Sequence, residues 1–289
     1  MIKIVESQKD FGSMNAGTIR YANLTEEDKK MLAELHNIEV KDLESYDLTP
    51  DRGRIFRLHR ERMGEAFGFD GRHMFMADQE HKKGSHFIIN QDYIEANPNG
   101  WTDIPEDILV VTDKLPGVVI GHPVADCPVV MMVDKKQGIS AIGHCSAEMI
   151  DKKLPMMIGE VLRGTFGSRA EDIYSYVSSC AGDTWTYDFF PKWAQDLRVW
   201  DRCIEEGEDG LFHIRLKPAV LKQLLAIGVQ AKNIRFSMDD TITDDHYYSN
   251  SMASKTGKDT SPKFGRHFAG LFYDGEDDDE ITIQKGRGK

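Results

Sequence analysis

Cys127 and His144 have the types and spacing to share a metal ion. Thiolate and imidazole are usual zinc ligands, and both also accept copper. They bracket ADCPVVMMVDKKQGISAIGHC, Ala125 to Cys145, in which two apolar runs enclose Asp134-Lys-Lys-Gln-Gly138. That pattern reads as two antiparallel strands joined by a tight turn. With Lys135 and Lys136 as the loop, Asp134 faces Gln137, and Cys127 falls directly opposite His144. Opposed side chains have Cβ atoms about 4.5–5.5 Å apart, within reach of one metal. A slip of one residue pairs Cys127 with Cys145 or Gly143 instead. The plain alternative is a buried cysteine and a strand-end histidine with ordinary packing and hydrogen-bonding roles.

The elements that position this segment are strands and helices in mixed order. Ile108–Val111, Val118–Ile120, Pro128–Val133 and Ile139–Ile142 are short apolar runs rich in β-branched residues. Thr25-Glu-Glu-Asp28 reads as a capping box ahead of a helix. Arg52–Phe69 and Pro218–Ile227 carry helical signals and end near Gly68 and Gly228, and Lys152–Gly164 is a weaker helix. This order predicts an α+β (mixed α/β) fold rather than a simple doubly wound sheet. One domain over residues 1–273 is expected, with 274–289 as a flexible polar tail. The stretches 90–107 and 249–263 read as loops, the second a mobile one.

Composition limits the function. Lys and Arg number 36 against 48 Asp and Glu, a net charge of −12. An acidic chain is a poor candidate for nucleic-acid binding. No apolar run reaches the roughly 18 residues of a membrane span, and the N-terminus lacks a signal-peptide pattern. A cytoplasmic protein is expected, and its four cysteines read as reduced thiols.

Further motifs join the hairpin. Gln79-Glu80-His81, Asp107-Ile-Leu-Val-Val-Thr-Asp113, Ala125-Asp126-Cys127-Pro128 and His144 occur in that order. His59-Arg60 precedes them within a helix ending in Ala-Phe-Gly-Phe69. Phe212–Leu216 with Gln223–Val229, then Tyr247-Tyr-Ser249, then Gly265-Arg266, follow. Together, from about Arg52 to Leu271, they resemble the YfiH family, also called multicopper polyphenol oxidase or laccase-domain proteins.

The resemblance implies packed mixed β-sheets flanked by helices. It implies one metal per chain, most often zinc with copper as the alternative, on His81, Cys127 and His144. Three protein ligands and an open position suit a catalytic zinc, which lowers the pKa of bound water to about 7. It further implies a small-molecule nucleoside substrate, phosphorolysed at the purine or deaminated at adenosine. Arg60 is the candidate for the phosphate, because guanidinium matches phosphate oxygens bidentately. Gln79, Ser249 and Arg266 complete the implied substrate and phosphate set. Asp126 is placed to handle a proton or to orient His81. The chain departs from the family at His144-Cys-Ser-Ala-Glu148, which lacks the family's glycine, tryptophan and basic residue. An altered substrate pocket is therefore expected, with a copper phenol oxidase and a noncatalytic metal-binding member as alternatives.

Overall fold

The computed structural model describes residues 1–77, 84–97, 103–258, 260–276 and 280–286. Two six-stranded mixed sheets pack face to face. The first has the order Ile281–Gly286, Ile2–Ser7, His267–Tyr273, Val119–Val124, Met74–Ala77, Asp103–Ile104. The second has the order Ile234–Phe236, Ile173–Val177, Val129–Asp134, Ile139–His144, Ile108–Val111, His86–Ile89. A small third sheet pairs Thr186–Tyr187, Phe212–Ile214 and Ile204–Glu206.

Side-chain alternation assigns each strand face to a layer. Ile4, Ile120, Val124 and Leu271 of the first sheet meet Leu109, Val129, Met131 and Ile142 of the second, which fills the gap between the sheets. The outer face of the first sheet, with Val5, Val119 and Phe268, lies under helices Glu26–His36 and Arg52–Phe67. The outer face of the second, with Ile108, Val130 and Met132, lies under Leu154–Phe166 and Leu216–Ala226. The order is helix, sheet, sheet, helix, a mixed α/β fold of the expected class.

Several expected elements shift. The hairpin pairs Asp134 with Ile139 and Val129 with His144, two residues out from the expected register. Its loop holds four residues because the Asp134 carboxylate accepts the Lys136 and Gln137 N–H groups, and Gly138 takes the left-handed φ of 67° that closes the turn. Residues 281–286 are not a loose tail. They add a parallel strand beside Ile2–Ser7, with Ile2 opposite Ile281. Ser249 begins a helix, Asn250–Thr256, inside the stretch read as a mobile loop. Gln91–Ala96 is likewise helical within the other. The helix read from Pro218 starts at Leu216, so proline sits inside the first turn, where no intrahelical donor is required. No helix among the described residues is long and apolar enough to cross a membrane.

The outer helices are locked by a buried ionic knot. Thr25 caps Glu26–His36, and Asp28 returns the bond as the capping box predicts. The same Asp28 carboxylate, fully buried, accepts from His59 Nε2 at 2.8 Å and from Arg62 at 2.9 Å, both on Arg52–Phe67. Burial pushes this carboxyl up, but the His59 and Thr25 bonds outweigh it and hold it at about 2. The folded value lies below the unfolded one, so the stabilisation is complete above about pH 4 and is lost as pH falls toward 2. Asp28→Asn is expected to destabilise the protein by about 2 kcal/mol at pH 7 and to flatten the acid limb of its stability curve. Urea melts between pH 2 and 7 measure both, and an acid limb as steep as in the wild type would contradict the assignment.

Candidate functional site

A cleft of about 360 Å³ opens at one end of the gap between the sheets. Alternation brings its polar groups there. His122 lies on the same face as Ile120 and Val124, and His144 on the same face as Ile142. One histidine comes from each sheet, and their rings meet across the gap with centroids 5.9 Å apart. Asp107, just before Ile108–Val111, lines the cleft and accepts the Gly84 N–H at 2.6 Å. Cys127 also lines it, half-buried, from the bend between Val119–Val124 and Val129–Asp134.

Cys127 therefore does not oppose His144 across the hairpin; Val129 does. The two reach one cleft because the chain crosses from the first sheet to the second at Ala125–Pro128. Asp126 holds that crossing. Its backbone sits at φ 79°, a left-handed conformation that aspartate tolerates better than most residues. Its carboxylate accepts from Thr241 Oγ1 at 2.8 Å and from the Ser251 N–H at 2.6 Å, and its carbonyl accepts from Ala181 N–H at 2.7 Å. Both carboxylate oxygens are engaged away from the cleft lining, so Asp126 positions its neighbour Cys127. Cys145 lies on the opposite face of its strand, in the core of the helix-covered layer.

Electrostatics mark the two cleft groups. Burial, with Asp126 adding to it, pushes the Cys127 thiol up to about 12, although Arg266 and the Ala147 N–H act the other way. Burial and then His144 push His122 well below the usual imidazole range, so it is neutral at pH 7. His122 is 1% exposed, and among the described residues neither ring nitrogen has a hydrogen-bond partner. Each such group left unpaired costs about 1–3 kcal/mol. The facing wall is aromatic. Tyr187 comes from the strand Thr186–Tyr187 of the small sheet, Trp185 directly precedes that strand, and Trp193 lies in the loop after it. The two indoles lie 6.1 Å apart and nearly parallel, at 9°.

The other expected residues divide. Arg60 is not in the cleft. It is buried under the outer helix layer, where its guanidinium donates to the Gly71 and Met74 carbonyls. Met74 pairs with Val119, three residues of strand from His122, or about 10 Å. Ser249 is a helix cap, its hydroxyl accepting from Met252 N–H at 3.2 Å. Arg266 does reach the crossing. It precedes His267, the partner of Val124, and burial lowers its pKa while Cys127 and Asp126 oppose the change. Gln79 and His81 lie outside the described residues. His122, five residues before Cys127, is near enough in sequence to approach the site, and the structure places it in the cleft; the aromatic wall has no comparable signal in the sequence. The pattern Ile120-x-His122-x-Val124, one polar residue inside an inward-facing series, was the available signal for the histidine.

Among the described residues, no group of three or more His, Cys, Asp or Glu side chains gathers closely enough to hold a metal ion. Cys127 and His144 nevertheless share one cleft, so the soft thiolate and the imidazole fit two positions of the implied site. The third, His81, belongs to the segment outside the description.

A family model described as multi-copper polyphenol oxidoreductase laccase matches residues 26–263. Solved structures share the fold. The hypothetical protein YfiH of Bacillus licheniformis is 17% identical, with a TM-score of 0.62 over 76% of this chain and 81% of that one. YlmD of Geobacillus stearothermophilus is 18% identical, with a TM-score of 0.63 over 76% and 80%. Protein NMB0706 of Neisseria meningitidis, titled with the family model DUF152, is 17% identical, with a TM-score of 0.54 over 77% and 82%. No curated protein matches the sequence.

Replacing Asp126 by Asn keeps the shape but sets an amide donor against the Thr241 hydroxyl or the Ser251 N–H. A loss of about 2 kcal/mol in urea unfolding is expected. An unchanged unfolding midpoint would show that the carboxylate does not hold the crossing.

Proposed function

This chain belongs to the multi-copper polyphenol oxidoreductase laccase family, and from that premise we propose that it is a metal-dependent enzyme acting on purine nucleosides. The reaction is phosphorolysis of adenosine or inosine, deamination of adenosine, or both. The observation that supports this reading is the meeting of Cys127, His144 and His122 in one cleft against an aromatic wall. Small-ligand clefts are typically about 300–1,000 Å³, so the volume suits a nucleoside better than a dinucleotide.

In this reading one zinc per chain is held by Cys127, His144 and His81. When bound, it supplies Lewis acidity against developing negative charge. The chain's own residues do the rest. Asp126 fixes the bend that carries Cys127, through Thr241 and Ser251. The wall of Trp185, Tyr187 and Trp193 excludes water from one side of the cleft. Arg266 replaces Arg60 as the phosphate candidate, because it lies beside the crossing while Arg60 is committed to two backbone carbonyls.

Chromatography of adenosine and inosine incubated with zinc-loaded protein, with and without phosphate, tests the reading. Phosphate-dependent purine release or inosine from adenosine is expected, and Cys127→Ala should lose both product and bound zinc. Oxygen uptake with a phenol, scaling with bound copper, would instead favour the oxidase of the family's description. Bound metal with neither activity would leave a noncatalytic protein.

The two arginines separate by a second measurement. Arg266→Ala is expected to raise the KM for phosphate about tenfold with little change in stability. Arg60→Ala should leave that KM unaltered and lower stability by about 2 kcal/mol. The reverse pattern would restore Arg60 to the phosphate.

A further inference from the structure

We propose that His122 and the aromatic wall form a subsite for a planar nitrogen heterocycle, the ring's face on Trp185 and Trp193 and its polar edge on His122. The inference deepens the nucleoside reading and rests on it for the choice of ring. It assigns base recognition to residues outside the implied metal and phosphate sets.

Three observations carry it. His122 is almost fully buried, lines the cleft, and among the described residues has both ring nitrogens unpartnered. The two imidazole nitrogens point to opposite sides of the ring, so one of them, as donor or acceptor according to tautomer, meets a polar atom on the edge of a purine. Across the cleft, Trp185 and Trp193 present half-buried indoles in parallel, the geometry for stacking on a flat ring. Tyr187 braces them edge-on, at 63° to Trp185 and 72° to Trp193. Trp193 is backed in turn by buried Trp200, whose indole N–H donates to Asp151 at 2.9 Å. The wall is thus fixed before a ligand arrives.

The charge of the lining narrows the class. The carboxylates of Asp107 and Glu148 line the cleft, and no lysine or arginine among the described residues does. This stretch of lining is left to a neutral base, and the phosphate of the proposed reaction to Arg266 at the Ala125–Pro128 crossing.

Titration of tryptophan emission with adenine, toluene and ribose tests the subsite in the full chain after dialysis against a chelator, and again with zinc. Adenine is expected to bind and quench in both states, and ribose to do neither. Trp193→Ala should weaken adenine and toluene alike, on the order of tenfold. His122→Ala should weaken adenine by a similar factor and leave toluene unchanged, since toluene has no hydrogen-bonding edge. His122→Gln, which keeps a donor and an acceptor, should recover most of the adenine affinity and guards against a folding defect in the alanine variant. Adenine binding indifferent to His122→Ala and Trp193→Ala would overturn the proposal, as would ribose binding as well as adenine. Adenine binding as described without nucleoside turnover would keep the subsite and remove the enzyme reading. Turnover with adenine binding insensitive to both substitutions would do the opposite.

Discussion

The face-to-face packing of the two sheets is the constraint on which the site depends. Each strand sends alternate side chains into one shared gap, so the residues along that gap are fixed by strand register alone. Over most of its length the gap is aliphatic, with Ile4, Ile120, Met131 and Ile142. Toward one end the same inward positions become polar. Glu6 continues the series of Ile2 and Ile4, His122 that of Ile120, His144 that of Ile142, and His267 that of Ala269 and Leu271. A gap between sheets that is dry at one end and polar at the other concentrates its chemistry at the second.

The buried polar groups at that end are bonded to one another with few exceptions. Glu6, from the first sheet, accepts from the Tyr176 hydroxyl at 2.5 Å and the Ser179 N–H at 2.9 Å, both in or beside the second. Tyr247 donates to Asp239 at 2.6 Å, and Lys285 of the edge strand meets the same carboxylate at 2.7 Å. Such bonds oppose sliding of one sheet over the other, because each misplacement leaves a buried group without a partner. His122 is set apart by contrast: among the described residues both of its buried nitrogens are without a partner.

The aromatic wall is supported from a different layer. Trp185, Tyr187 and Trp193 pack on the core of the helix-covered side, along with Trp200 and the helices Leu154–Phe166 and Leu216–Ala226. The metal candidates belong to the gap between the sheets, and the wall belongs to the first strand of the small third sheet and the segments on either side of it. The cleft is where these two bodies of structure meet. Substitutions in the wall can therefore alter the ligand without disturbing the strands that carry Cys127 and His144.

Local sequence determined the elements around which the site is built. The Thr25–Asp28 capping box, the Arg52 helix with its stop at Gly68, and the strands Ile108–Val111 and Ile139–His144 follow from side-chain periodicity and backbone preference, which act over a few residues. Sequence order and spacing also carried the resemblance to the family. Tertiary structure decided the rest. The hairpin register moved by two residues because the Asp134 side chain organised a longer turn. Arg60 proved to be a buried tie to two carbonyls, which a motif match does not distinguish from a ligand-facing arginine. His122 and His144 are 22 positions apart and on different sheets, and the aromatic wall lies some 40 residues further along. Their meeting depends on how strands pair across the whole chain, a long-range property that no local pattern encodes.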